Sequence, residues 1–142
     1  MTNTTSSNPN NKTTAINGVS TIADISINVL GTNYTIKHIK HNSNEYMIEN
    51  NLSGYCDYVN QTIYIDDINS DKEFDKYSIS EKAEFMKTTV RHELIHAFLY
   101  ESGLSSCALK YDYSWAKNEE MVDWFAMQIP KIYKIFEQVG CI

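Results

Sequence analysis

The sequence predicts an α+β domain in which a small antiparallel sheet packs on one long helix, with a second helix following. Three observations carry that expectation. Apolar residues alternate with period two between Ile25 and Asp66, the spacing turns helical at Ser78, and a second helical pattern starts near Trp115. With 142 residues, 42% of them apolar, the chain is long enough for one core and too short to expect two domains.

Each element has a local reason. Residues 1–20, MTNTTSSNPNNKTTAINGVS, are mostly Asn, Thr and Ser without apolar periodicity, so they bury too little to offset the entropy of ordering them. They are expected to be a disordered tail, leaving 21–142 as the folded domain. Ile25, Ile27 and Val29 then share one face, Gly31-Thr32-Asn33 supplies turn residues, and Tyr34, Ile36 and His38 alternate on the return, which predicts a β-hairpin. After the polar stretch HNSNE, a second strand pair is expected over Tyr55 to Val59 and Thr62 to Asp66, turning at Asn60-Gln61. At SISEKAEFMKTTVRHELIHAFLYESGL the period becomes helical; Ser78 with Glu81 three residues on is the capping-box pattern, and Gly103 sits where a helix should stop. A second helix is expected from about Trp115 to Gln128. Pro130 should interrupt or restart it, and a last amphipathic stretch, KIYKIFEQVG, ends at Gly140.

Composition excludes several classes. No apolar run approaches a membrane span, and the N-terminus lacks the basic and apolar regions of a secretory signal, which predicts a cytoplasmic protein without membrane partners. A net charge of -6 argues against a phosphate-backbone binder, so no nucleic-acid partner is expected. Cys56, Cys107 and Cys141 are odd in number and widely spaced, which reads as reduced structural thiols. His38 and His41 fall on opposite faces of a strand and bring no acidic partner, so they read as surface or edge histidines.

The chemistry concentrates in RHELIHAFLY. On a helix, residues four apart differ by about 40° around the axis, so His92 and His96 point the same way, one turn apart, and can share a metal ion. Glu93, offset by about 100°, lies beside such an ion, where it can take a proton from water. This is the H-E-x-x-H arrangement of zinc peptidases. A catalytic zinc wants three protein ligands and one open position. The longer H-E-x-x-H-x-x-G-x-x-H pattern is absent, because Leu99 and Ser102 hold its Gly and last His positions. In NEEMVDWFA, however, Glu119 and Asp123 are four apart on one face, so Glu119 can coordinate while Asp123 accepts a ligand imidazole N–H. Glu120 competes for the ligand role, since helix register read from sequence is uncertain by a residue. Only Glu119 has the Asp partner four residues on. Tyr111 and Tyr113, between the two helices, are candidate oxyanion donors, the plainer reading being that they cover a core edge. The strand Thr62 to Asp66 is expected at the sheet edge above the cleft, where an extended protein segment could add to it.

Asn118-Glu119-x-x-x-Asp123 after His92-Glu93-x-x-His96 resembles the gluzincin signature of thermolysin-type peptidases. With Phe125-Ala126 it is similar to the small ImmA/IrrE-type zincins of phages, mobile elements and their bacterial hosts, over roughly residues 80–130. Val122 departs from that pattern, which usually has alanine there. The resemblance implies a minimal zincin-like fold, Zn2+ as cofactor, His92, His96 and Glu119 as its ligands, Glu93 as general base and Asp123 as the partner of His92. It further implies peptide-bond hydrolysis of restricted specificity on a regulatory, repressor-like protein in a phage or bacterial host cytosol. A catalytically silent, metal-stabilised module that binds and blocks a host factor is the rival reading; an intact Glu93 argues for turnover, and nothing in the sequence settles the blocking role.

Overall fold

The computed structural model describes residues 15–16, 19–20, 22–106, 117–138, 140 and 142. Within the N-terminal twenty residues, β1 (Ala15–Ile16) and β2 (Val19–Ser20) form a two-stranded antiparallel ladder separate from the main sheet. Residues 1–14 lie outside the described residues.

The first hairpin is β3 (Ile25–Val29) and β4 (Thr32–Lys40), with Val29 facing Thr32. Its turn is Leu30-Gly31, both at positive φ (49° and 101°), and not Gly31 to Asn33 as expected. The Asn28 side chain explains the earlier turn: its Oδ1 accepts the Gly31 N–H at 3.0 Å and its amide donates to Asn33 at 2.8 Å, so Asn33 already lies in the ladder.

The polar stretch after β4 folds into a short helix, α1 (Glu45–Glu49), capped by Asn44. The second strand pair is β5 (Gly54–Asp57) and β6 (Thr62–Asp67). β5 ends before Val59 because the Asp57 carboxylate captures the N–H groups of Val59 (3.1 Å) and Asn60 (3.0 Å) that would otherwise extend the ladder.

The sheet order is β3-β4-β6-β5, and β6 runs parallel to β4 (Thr35 opposite Thr62, Lys40 opposite Asp67). Two expectations are thereby corrected. The sheet is mixed rather than antiparallel, and Thr62 to Asp66 is an interior strand rather than an edge. The reason lies in burial: Ile63 and Ile65 are fully buried, as a central strand requires, while β5 is mostly half-buried. The chain after β4 therefore passes to the far edge, and the β5–β6 hairpin returns its more apolar strand to the slot beside β4.

Over this sheet lies α2 (Ile79–Glu101), which packs on β5 and β6. Its N-terminus has the expected capping box, with Ser78 accepting from the Glu81 N–H and Glu81 reaching back to Ser78. Ser102 and Gly103 (φ +81°) end it, also as expected. Val29, Tyr34, Ile36, Ile63, Ile65 and Ala97 form the core between helix and sheet.

The last element, α3 (Glu119–Gln138), packs on α2 through the buried Val122 and Ala126. The expected start near Trp115 lies outside the described residues. The expected break at Pro130 does not occur, and one helix runs through it. A proline ring has no N–H, which deprives the Ala126 carbonyl four residues back of its helix partner. Arg91 on α2 replaces that partner, its Nε donating to the Ala126 carbonyl at 2.8 Å. No helix among the described residues is long and apolar enough to cross a membrane.

Candidate metal centre

His92 and His96 occupy consecutive turns of α2 on the side facing α3. Their Nε2 atoms lie 3.0 Å apart. The first turn of α3 brings a carboxylate to both: Glu119 Oε2 is 3.1 Å from His92 Nε2 and 3.3 Å from His96 Nε2. Asn118 starts the helix at this point, its side chain accepting the Met121 N–H at 2.9 Å and its carbonyl accepting that of Val122.

Three donor atoms from His92, His96 and Glu119 thus converge, and this group could hold a metal ion. Ligand atoms about 2.0 Å from a tetrahedral ion would lie about 3.3 Å from one another. The observed 3.0, 3.1 and 3.3 Å edges fit one face of such a tetrahedron, which leaves a fourth position open. Glu120, the competitor in the sequence, is exposed and belongs to no such group among the described residues.

Asp123, one turn on from Glu119, lies 2.8 Å from His92 Nδ1 through its Oδ1. A carboxylate only accepts, so this contact places a ring hydrogen on Nδ1 and leaves Nε2 as the nitrogen that can coordinate.

Glu93 lines the same cleft but stands outside the ligand group. Its side chain is buried under β5, and the loss of water pushes its carboxyl up to about 7. His92 opposes that shift, Glu119 adds to it, and the Cys56 backbone N–H, bonded to the carboxylate, opposes it again. A carboxyl with that balance can hold or release a proton near neutrality.

The cleft, about 360 Å³, runs from Asn51–Gly54 on one wall to Thr88 and Thr89 on the other. Gly54 sets its depth. A Cβ there would stand 2.8 Å from Thr89 Cγ2, 3.0 Å from the Tyr64 carbonyl and 3.2 Å from Glu93 Cγ, so only glycine lets the strand approach the helix so closely. The open edge of the sheet beside the cleft is β5. Because Ser53 bonds Asp66, the antiparallel alternation turns the main-chain groups of Gly54 and Cys56 outward.

Of the residues singled out by the sequence, His92, His96, Glu119 and Asp123 are brought together and Glu93 lies beside them. Tyr111, Tyr113, Cys107 and Cys141 lie outside the described residues. Cys56 is a free thiol that burial pushes well up. His38 is half-buried, its Nδ1 without a hydrogen-bond partner, and burial lowers its pKa. His41 corrects an expectation: it does have an acidic partner, Asp66, in a cavity of about 330 Å³ that shares Asn51, Leu52, Ser53 and Phe85 with the cleft. The chain turns after Lys40, which swings His41 off the strand alternation from which its face was read.

Gly54, the Cys56 N–H, Arg91 and Asn118 contribute without having been singled out for these roles. Gly54 left a signal, an isolated glycine at the start of a strand pattern. Asn118 left another, a capping residue before two acidic positions. Arg91 and Cys56 act across elements and left none.

Comparison with protein-family models, curated proteins and solved structures finds no match for this chain.

Proposed function

We propose that the chain is a zinc-dependent endopeptidase of restricted specificity with a minimal zincin-like arrangement of sheet and helices. The observation that carries this reading is the meeting of His92, His96 and Glu119 at tetrahedral edge distances, with the buried Glu93 carboxyl in the same cleft. A zinc ion held there would supply Lewis acidity toward a peptide carbonyl and a water molecule. Glu93 takes a proton from the attacking water and delivers it to the leaving amine. Asp123 holds the His92 ring in the tautomer the site needs.

The substrate is an extended protein segment laid along β5. Gly54 is buried against α2, so the half-buried Cys56 offers its outward carbonyl to such a chain, its N–H being already committed to Glu93. β5 thus takes the part that the sequence had given to β6. An acidic domain with a short edge strand suits one exposed segment of one partner better than bulk digestion. The likeness of the His92-to-Asp123 motif pair to the small zincins of phages and their hosts points to a repressor-like protein of a bacterial cytosol as that partner.

Two measurements test the reading. Elemental analysis should find one zinc per chain; protein that took up no stoichiometric metal after zinc addition would refute it. Coexpression with candidate repressors should show site-specific cleavage and little digestion of casein. Glu93→Gln should keep the zinc and lose cleavage by about 100- to 10,000-fold, the range of a general base. Zinc binding with no cleavage by either protein would favour the rival, a metal-stabilised module that binds and blocks a host factor.

A further inference from the structure

Arg91 immediately precedes the first metal-ligating histidine, and its side chain turns away from the cleft toward α3. There it meets the Ala126 carbonyl at 2.8 Å, the group that Pro130 leaves without a helix partner. Ala126 is fully buried, so water offers that carbonyl little replacement. The guanidinium is held from behind: its Nη2 donates to Glu84 Oε1 and to Thr88 Oγ1, each at 2.9 Å. Its direction is therefore fixed before it reaches α3.

The contacts between the helices form a ladder. Glu119 meets His96 and His92, Asp123 meets His92, and Ala126 meets Arg91. Residues 119, 123, 126 and 130 share one side of α3 at helical spacing. In an intact helix every carbonyl on that side has one lone pair already bonded, whereas the proline leaves the Ala126 carbonyl with both, which makes it the strongest acceptor within reach of Arg91. The proline creates an acceptor at one level of α3, and Arg91 can bond there without breaking a helix bond. A slip of one residue would swing Glu119 by about 100° around the axis, away from both imidazoles.

We propose that Arg91 is a positioning residue for the metal centre: by bonding the carbonyl that Pro130 strips of its partner, it fixes α3 along α2 and holds Glu119 and Asp123 opposite His92 and His96. The proposal rests on the reading of His92, His96 and Glu119 as metal ligands.

The test compares four full-length proteins: wild type, Arg91→Met, Pro130→Ala and the double variant. Zinc affinity is measured by competition with a chromogenic chelator, and the metal-free melting temperature is measured separately. Arg91→Met should weaken zinc at least about 10-fold, the lower end for groups that orient ligands, and should lower the melting temperature. Pro130→Ala alone should leave affinity unchanged, because a carbonyl has two lone pairs and Arg91 can still use one. The double variant separates positioning from simple satisfaction of the carbonyl. The N–H that replaces the proline ring nitrogen can bond the Ala126 carbonyl within the helix, so the melting temperature should recover while zinc affinity stays low. Recovery of both would overturn the positioning role, as would Arg91→Met binding zinc as tightly as wild type. Should Arg91→Met not fold alone, the double variant decides the question. A wild-type protein that bound no zinc would overturn the metal reading, and this proposal with it.

Discussion

On α2 the side chains of His96 and His92 are only 10% and 20% exposed and Glu93 is buried against β5, whereas on α3 the side chains of Glu119 and Asp123 are 65% and 58% exposed. One half of the centre is organised by packing, the other by charge and a few hydrogen bonds. Exposed carboxylate contacts contribute little to stability, so α3 gains its place at the site from the buried Val122 and Ala126, from Arg91 and, in the proposed reading, from the ion. Each kind of damage should therefore appear in a different place. Changes on α3 should alter metal affinity in a fold that persists, and changes where α2 meets β5 should alter the fold itself.

The largest expected effect lies on the exposed half. Glu119→Ala removes one of three ligands and should weaken zinc by more than Asp123→Asn, for which about 10- to 100-fold is expected. Glu120→Ala should leave affinity unchanged. All three should keep the metal-free melting temperature close to wild type, since exposed substitutions cost within about 0.5 kcal/mol. Chelator competition and thermal denaturation read the two quantities separately. Equal losses of affinity at Glu119 and Glu120, or a collapse of the metal-free protein in Glu119→Ala, would show that the two helices do not divide the work in this way.

That division also explains what could be read from the chain alone. The helical half was legible because its information is local: a four-residue spacing puts His92 over His96, Ser78 with Glu81 announces the start of α2, and Glu119 with Asp123 repeats the spacing on α3. The sheet was legible strand by strand but not in its order. Alternation says that Thr62 to Asp66 is a strand and cannot say that it lies between β4 and β5, because that depends on partners far along the chain. The same limit hid the His41–Asp66 pair, the Cys56 N–H on Glu93 and Arg91 on Ala126. Pro130 is the instructive case: the local rule correctly says that a bond is lost, and only the fold shows who replaces it.

The buried half should respond through stability. Gly54→Ala places a methyl group 2.8 Å from Thr89 Cγ2 and 3.0 Å from the Tyr64 carbonyl, and the second of these is backbone in a central strand that cannot give way. Overpacking of this kind costs about 1–3 kcal/mol. The melting temperature should fall by several degrees, and the protein that remains folded should lose more cleavage than zinc affinity, because the added group pushes on Glu93 and not on the ligands. An unchanged melting temperature would mean that strand and helix are less tightly joined than their contact distances imply.

The smallest effect is expected at the far end of α2, beyond the site. Glu101 accepts hydrogen bonds from the Thr32 and Tyr34 hydroxyls, each at 2.7 Å, and so fastens the helix to the β3–β4 hairpin. Tyr34 is fully buried, and burial with the neighbouring carboxylate pushes its phenol well up, so it stays an O–H donor. Tyr34→Phe should lower the melting temperature by less than Gly54→Ala does, because the acceptor it loses is open to solvent, and should leave the zinc affinity of the folded protein unchanged. The loss should also depend on pH. The two hydroxyls hold the Glu101 carboxyl below its ordinary value of 4.5, so the bond's contribution is fully present above that pH and is lost as pH falls through the lower, folded value. Melting curves of the two proteins should therefore lie apart at neutral pH and draw together in acid. A constant gap would assign the stabilisation to the packing of the ring, and a loss of zinc affinity in Tyr34→Phe would show that the anchoring of α2 reaches the metal centre after all.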